Sequence, residues 1–115
     1  MGRRFHLALG VADLAASIAD YSARLGMEPE CVVPGEYALW RTEGLNLSIR
    51  VVAAGEAGQL RHLGWEDPQA AAMESSVDVN GILWERFSGP AQRQEIEALW
   101  GDAASFRRPQ AEPAV

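Results

Sequence analysis

Residues 5–26 alternate between apolar and polar side chains and then repeat at helical spacing, the pattern of a strand followed by a helix. The strand is predicted to bury one face and to carry His6 on the other. Asp13 is suited to cap the helix, and Gly26 is suited to end it. The apolar face of the helix consists of Leu14, Ile18, Tyr21 and Leu25. We expect this face to pack on the strand face that consists of Phe5, Leu7 and Leu9.

Further strands are predicted over residues 30–33, 37–42 and 45–52. Pro34-Gly35 has the composition of a tight turn between the first two of them. The third strand alternates apolar and polar side chains throughout, which is typical of a strand with one face on the core. Asn46 falls on its polar face. The segment 53–58, which consists of Ala, Gly and Glu, is expected to be a flexible connection.

The pattern around His6 returns 56 positions later, where His62-Leu63-Gly64 repeats His6-Leu7-Ala8. Self-similarity at a fixed offset predicts two copies of one supersecondary unit. In the second copy, Asp67 and Pro68 predict the start of a short helix over the letters AAAMESS. A turn over residues 78–81 is expected to follow, with a strand over 82–87.

These elements predict an α+β fold in a single domain over residues 1–101. Its parts are a first unit over residues 3–52, a shortened second unit over 59–88 and a terminal helix over 90–100. The tail, residues 102–115, has little apolar content. We expect it to be poorly ordered unless it packs on a partner.

Composition and charge narrow the classes of function. The 115 residues carry a formal net charge of −6 and a pI of about 4.8, which argues against nucleic acid or an anionic membrane as a partner. The single cysteine, Cys31, rules out an internal disulfide and fits a reducing compartment. The N-terminal apolar run is shorter than a signal peptide requires, and no window reaches transmembrane length. The sequence therefore predicts a cytoplasmic protein.

Three side chains of the repeated units are candidate metal ligands. His6 and His62 occupy equivalent places on repeated strands, and Glu85 lies on the last strand. If the two units pair about a pseudo-twofold axis, two imidazoles and a carboxylate converge. Such a set suits Fe, Mn, Ni or Zn and leaves positions open for a substrate. Asn46 is a candidate fourth neighbour that would ligate weakly, through water or not at all.

Each candidate also has a structural interpretation. A histidine on a strand is more often a surface or hydrogen-bonded core residue than a ligand, and Glu85 would then be a solvated edge charge. Asp78 and Asn80 are expected to shape the turn before Gly81. Cys31 is expected to be inert. The tryptophans are expected in the core or at a dimer interface: Trp40, Trp65, Trp84 and Trp100.

Several segments resemble the vicinal oxygen chelate superfamily, which includes glyoxalases, extradiol dioxygenases and the fosfomycin and bleomycin resistance proteins. They are HLALGVADLAASIADYSARLGMEP, YALWRTEGLNLSI, RHLGWEDP and DVNGILWERF. The last is similar to the family ending D-P-D-G-x-x-W/I-E, with Val79 for its proline and Asn80 for its second aspartate. The resemblance covers about residues 4–87. It implies paired βαβββ modules that form a cup around a divalent metal.

By position, the resemblance makes His6, His62 and Glu85 three of the family's ligands, and Glu85 a catalytic base as well. The glyoxalases have a glutamate where this chain has Asn46, so the remaining set is similar to the iron set of the extradiol dioxygenases. Only 22 residues separate His62 from Glu85, too few for the helix and two strands that the family has there. Either a partner chain completes the shortened module, or the site is shallow and open. We predict a homodimer, with Trp84, Trp100 or the terminal helix near the contact.

The resemblance implies a small metal-dependent enzyme that acts on a molecule with vicinal oxygens, as a lyase, an isomerase or a dioxygenase. Two other interpretations stay open on the sequence. One is a non-catalytic binding protein that sequesters a small molecule, as the bleomycin resistance proteins do. The other is a degenerate module that serves only as an interaction domain.

Overall fold

The computed structural model describes residues 2–107, which form one mixed eight-stranded sheet and two helices. The fold is α+β, as predicted. The helices are α1 (Leu14–Leu25) and α2 (Gly89–Trp100). The strands are β1 (Arg4–Val11), β2 (Cys31–Val33), β3 (Tyr37–Arg41), β4 (Leu45–Val51), β5 (Leu60–Glu66), β6 (Glu74–Val77), β7 (Leu83–Phe87) and β8 (Ser105–Phe106).

The sheet is built around β1 and β5, which pair antiparallel at its centre. β4 pairs parallel with β1 on one side, and β7 pairs parallel with β5 on the other. The full strand order is β6-β7-β5-β1-β4-β3-β2-β8. Each central strand therefore has a parallel neighbour on its outer side, and both halves of the sheet share this arrangement.

The first helix covers the outer face of the first half of the sheet. The Asp13 side chain accepts a hydrogen bond from the Ala16 backbone N–H at 3.0 Å, and Gly26 ends the helix with a φ of 70°. Leu14 is buried in a core with Trp40. Leu7, Leu9, Ile18, Tyr21 and Leu25 pack against this core as predicted.

Phe5 has the predicted face but different neighbours. It is opposite Trp65 in the register of β1 and β5, and the two rings meet edge-on with centroids 5.1 Å apart. The Trp84 ring lies at 6.3 Å on the same side. Phe5 therefore belongs to an aromatic cluster with Trp65 and Trp84 of the second half of the sheet, and the prediction that it lies under α1 is wrong.

The second helix packs on the opposite, inner face. Ser88 caps it by accepting a hydrogen bond from the Ala91 backbone N–H at 3.2 Å, and Pro90 lies in its first turn. Ile96 is buried in a second core, whose other buried members are Cys31, Val33, Tyr37 and Leu39. The first half of the sheet is thus covered on both faces, whereas the outer face of the second half has no helix among residues 2–107.

The helix predicted after Pro68 is not present, and part of that segment is β6 instead. Residues 67–73 form turns between β5 and β6. Asp67 accounts for this, because its side chain accepts from the Gln69 backbone N–H at 2.9 Å and its carbonyl from Ala70 at 3.0 Å. The turn at 78–81 is confirmed, since Asp78 accepts from the backbone N–H of Asn80 and of Ile82.

Two connecting segments have more structure than predicted. Residues 54–56 of the predicted flexible connection form a turn of 3-10 helix. In the tail, residues 101–103 form another, and β8 pairs antiparallel with β2. The tail prediction is therefore wrong for residues 102–107, and residues 108–115 lie outside the described part. No helix within residues 2–107 is long and apolar enough to span a membrane.

Candidate metal centre

The three predicted ligands lie on three adjacent strands at the middle of the sheet. His6 of β1 is opposite Gly64 of β5, and Gly64 is opposite Glu85 of β7. His62 precedes Gly64 by two positions, so it lies on the same face. One potential ligand atom from each of the three side chains lies within 4.8 Å of the others. This group of two imidazoles and a carboxylate could hold a metal ion.

Gly64 keeps the space between His6 and Glu85 open. A Cβ atom built at Gly64 would lie 1.8 Å from the Glu85 carbonyl oxygen, far inside contact distance. Its φ of 157° is also one that side-chain-bearing residues rarely adopt. A side chain at this position would push β5 and β7 apart. In the sequence, Gly64 matches Ala8 as a small residue of the repeat, and this role was not predicted for it.

His6 is buried and held from one side. Its Nδ1 lies 2.9 Å from the Asn46 side-chain oxygen and 3.2 Å from the Asn46 carbonyl oxygen. Its ring meets Phe87 edge-on and lies 4.9 Å, between centroids, from the His62 ring. Burial lowers the pKa of His6, and the neighbouring His62 acts in the same direction. The ring is therefore neutral, the form in which imidazole binds a metal.

Asn46, which the sequence offered as a fourth neighbour of the metal, forms hydrogen bonds that support His6. Its Nδ2 donates at 2.8 Å to both Glu66 and Gln92, and its oxygen accepts from His6 and from Gln92 at 3.3 Å. Because a carboxylate only accepts, Glu66 fixes which way the amide points. Because the amide oxygen is an acceptor, the proton of the neutral His6 ring is on Nδ1. The lone pair of His6 Nε2 is therefore free to bind a metal ion.

Glu66 anchors this arrangement through two arginines. It accepts from Arg41 at 2.8 and 2.7 Å and from Arg4 at 2.7 Å. Burial alone would raise the pKa of Glu66, but the hydrogen bonds from Arg41 and Asn46 lower it to about 2. Glu66, Arg41 and Gln92 were not among the residues predicted from the sequence. The available signal was the strand alternation, which places Glu66 on the face of His62.

His62 and Glu85 are in direct contact, with His62 Nε2 3.1 Å from the Glu85 Oε1 atom. The hydrogen bond from His62 lowers the pKa of Glu85, against the effect of burial. The carboxylate is therefore ionised at neutral pH. Both side chains are partly accessible, with 15% and 22% of their surface exposed, whereas His6 lies beneath them.

A cavity of about 220 Å³ opens beside His62 and Glu85. Its floor is the inner face of the sheet, and α2 forms one wall through Ile96 and Trp100. Apolar and charged side chains share the lining, among them Leu83, Leu99, Met73, Arg50, Arg61 and Glu95. The ligand group is thus reached from a pocket that could receive a small molecule.

The other residues considered from the sequence lie away from the ligand group. Trp40 is fully buried in the core, as predicted. Trp65 and Trp84 lie on the outer face with Phe5, and Trp100 lines the cavity. Burial raises the pKa of the Cys31 thiol to about 11, which fits the prediction that it is inert.

The chain matches no protein-family model and no curated protein sequence.

Proposed function

We propose that the protein is a small metal-dependent enzyme of the vicinal oxygen chelate type, acting on a small molecule with two neighbouring oxygens. The observation that carries this proposal is the convergence of His6, His62 and Glu85 beside a cavity. A structural role alone does not require the only two histidines of the chain to meet a carboxylate at one point.

The donor set fits a divalent ion of the first transition series. Imidazole and carboxylate donors suit Fe, Mn, Ni and Zn, and three protein ligands leave positions free for substrate oxygens. His6 is prepared for this role, because Asn46 binds its Nδ1 and leaves Nε2 free. Which of the four ions is bound stays a prediction.

The sheet topology supports paired modules of unequal length. Residues 4–51 have a strand, a helix and three strands, with β1 parallel to β4. Residues 60–87 have only three strands, with β5 parallel to β7 in the same relation. We propose that the second unit is a βαβββ module that lacks its helix and one strand, and that the two units form the cup.

In the proposed reaction the ion would act as a Lewis acid that stabilises negative charge on the bound oxygens. The chain would supply the other functions. His6 and His62 would hold the ion in place, and α2 forms one wall of the cavity through Ile96 and Trp100. Glu85 is the proposed base, through the carboxylate oxygen that is not in contact with His62. Its lowered pKa means that the carboxylate is deprotonated at neutral pH, which is the state that a base requires.

A binding protein without catalysis is the second candidate. The apolar part of the cavity lining, which includes Leu83, Leu99 and Trp100, favours it. Such a protein would retain a small molecule unchanged, with or without a metal ion. Turnover of a bound ligand by the metal-loaded protein separates the two candidates.

The edge strand β6 is exposed at every position. We therefore also propose that the protein is a homodimer. Uncovered sheet edges are surfaces at which a second chain readily adds. A cytoplasmic location stays a prediction from the sequence.

Metal content tests the proposal. Protein purified without chelators and dialysed against each ion is expected to retain one of them in stoichiometric amount by elemental analysis. His6→Ala and His62→Ala should each abolish this retention, and Glu85→Gln should weaken it less, because the amide keeps an oxygen donor. Glu95→Gln is the matched control, since Glu95 lines the same cavity outside the ligand group. Wild-type protein that retains no ion under any of these conditions contradicts the proposal.

A further inference from the structure

Two arginines line the cavity beside the proposed metal ligands. Arg50 and Arg61 both contribute to the lining that contains His62 and Glu85. Across residues 2–107, neither guanidinium group forms an ion pair with a carboxylate. Arg41, by contrast, is tied to both Glu30 and Glu66. The charges of Arg50 and Arg61 are therefore free for a ligand.

Arg50 is held in place without the use of its hydrogen-bond donors. Its Cζ atom lies 5.3 Å from the centre of the Trp100 ring, and Trp100 packs on Tyr37 with ring centroids 5.0 Å apart. An aromatic surface attracts a guanidinium group while leaving its N–H groups available. This placement prepares Arg50 to bind a planar or tetrahedral anion in the cavity.

Arg61 contributes to the cavity from β5. The same lining includes Tyr37 of β3 and Glu85 of β7. The guanidinium group of Arg61 therefore belongs to a pocket that both halves of the sheet build.

The cavity lining is less negative than the chain as a whole. The protein carries a net charge of −6, whereas Arg50 and Arg61 balance Glu85 and Glu95, the two carboxylates of the lining. A bound divalent ion would offset Glu85 and make the cavity more positive. An anion would therefore be attracted into this pocket from a surface that otherwise repels it.

We propose that Arg50 and Arg61 form an anion subsite, so that the substrate carries a carboxylate or phosphoryl group in addition to its metal-binding oxygens. This inference rests on the proposed function. The cavity volume of about 220 Å³ is below the range of drug-sized ligand pockets, which indicates a compact substrate. Leu83 and Leu99 offer apolar contacts for the short carbon segment between the two polar ends.

Matched hydroxamates test the subsite on the metal-loaded protein. Acetohydroxamic acid presents two vicinal oxygens and no distal charge, whereas succinohydroxamic acid adds a distal carboxylate to the same chelating group. We expect the second ligand to bind about tenfold more tightly or better by titration calorimetry, because hydrogen bonds to charged groups contribute more than neutral ones. A phosphonate in place of the carboxylate distinguishes the two anions, and a preference for either over acetohydroxamic acid supports the subsite.

Variants assign the preference to the two arginines. Arg50→Gln and Arg61→Gln should each remove most of the preference while leaving the affinity for acetohydroxamic acid within about twofold. Arg24→Gln is the control, because Arg24 lies on the exposed face of α1, in an ion pair with Asp20. It should leave both affinities unchanged.

The outcomes separate the two proposals. Equal binding of charged and uncharged hydroxamates overturns the anion subsite and leaves the metal centre standing. A preference that survives in both Arg50→Gln and Arg61→Gln also overturns it. If no hydroxamate binds the metal-loaded protein, the proposed function fails and the subsite fails with it.

Discussion

The Nδ1 atom of His6 lies 2.9 Å from the side-chain oxygen of Asn46, and this one hydrogen bond determines which nitrogen of His6 faces the ligand group. Asn46 can play this part only because its own amide nitrogen donates to Glu66. A chain of hydrogen bonds thus runs from the carboxylate of Glu66 to the imidazole of His6.

Replacement of Asn46 by aspartate should break this chain. The carboxylate of Asn46→Asp would retain an acceptor for His6, but it would lie beside Glu66 with no proton between them. We expect a loss of about 2–4 kcal/mol in the free energy of unfolding, since buried charges without partners are costly. Denaturant titration measures it. Asn80→Asp, in the exposed turn before β7, is the control, and an equally small effect at both sites would contradict the role of Asn46.

Gly64 should not tolerate a side chain. In Gly64→Ala, the new Cβ would meet the backbone of Glu85, and β5 and β7 would have to separate. We expect a loss of about 1–3 kcal/mol in stability, together with loss of stoichiometric metal. Gly44→Ala is the matched control, because a Cβ atom there has no neighbour within 4 Å. Normal metal content in Gly64→Ala would show that the close approach of the strands is not needed.

The ligand group could be predicted from the sequence, but its supporting residues could not. Alternation gives the face of a side chain within its own strand, and the repeat around His6 and His62, with pairing of the two units, predicts that His6, His62 and Glu85 converge. Alternation does not reveal which atoms bond behind that face, so the partners of Asn46 stayed hidden. These partners come from β5 and from α2, and contacts at such separation leave no periodic trace in the chain.

Two of the errors in the predicted fold have local physical causes. The stretch AAAMESS has helix-forming residues, but Asp67 ties the preceding backbone into a turn and only seven residues, 67–73, separate β5 from β6. In the tail, Phe106 was too isolated an apolar residue to indicate a strand. It pairs with Cys31 of β2 and contacts Arg93, whose Cζ lies 4.0 Å from its ring centre.

Leu14 should contribute strongly to the stability of the fold. It is 7% exposed and packs in the core between α1 and the sheet. Leu14→Ala should cost about 2–4 kcal/mol in the free energy of unfolding. Val79→Ala is the control, since Val79 is 97% exposed and its loss should change stability by less than about half a kcal/mol. Similar losses of stability in the two variants would contradict the burial of Leu14 between α1 and the sheet.

Acid should destabilise the protein through Glu66. Its pKa in the folded state is lowered to about 2, against an ordinary value of about 4.3. Because the carboxyl group has a lower pKa in the folded state than in the unfolded state, its ionisation stabilises the fold at pH values above about 4.3. This stabilisation, about 3 kcal/mol, is lost as the pH falls from about 4.3 through 2. Denaturant titrations across this range should show less pH dependence for Glu66→Gln, which cannot ionise. Glu43→Gln, in an exposed turn, should keep the wild-type slope, and an equal slope in all three proteins would contradict this role.

The proposed dimer should depend on the edge strand β6. Val77 is 66% exposed there, and Val77→Lys should block the pairing of two edges without disturbing the fold. Sedimentation velocity at micromolar concentration is expected to show a dimer for the wild type and a monomer for this variant. Val79→Lys, in the neighbouring turn, is the control and should remain dimeric. A monomeric wild type would contradict the dimer.

The outer face of the second half, which no helix of residues 2–107 covers, has a consequence for local unfolding. His6 lies in a half of the sheet that is covered on both sides. Glu85 lies on β7, next to the exposed β6, and His62 lies on β5, one strand further in. The less protected strands are expected to open at lower free energy than the first half, and their amide protons to exchange faster. An ion held by all three side chains would link the less protected strands, β5 and β7, to the more stable half that contains His6. Part of its binding free energy would then appear as protection of β5 and β7 rather than as affinity, and metal removal would loosen that half first.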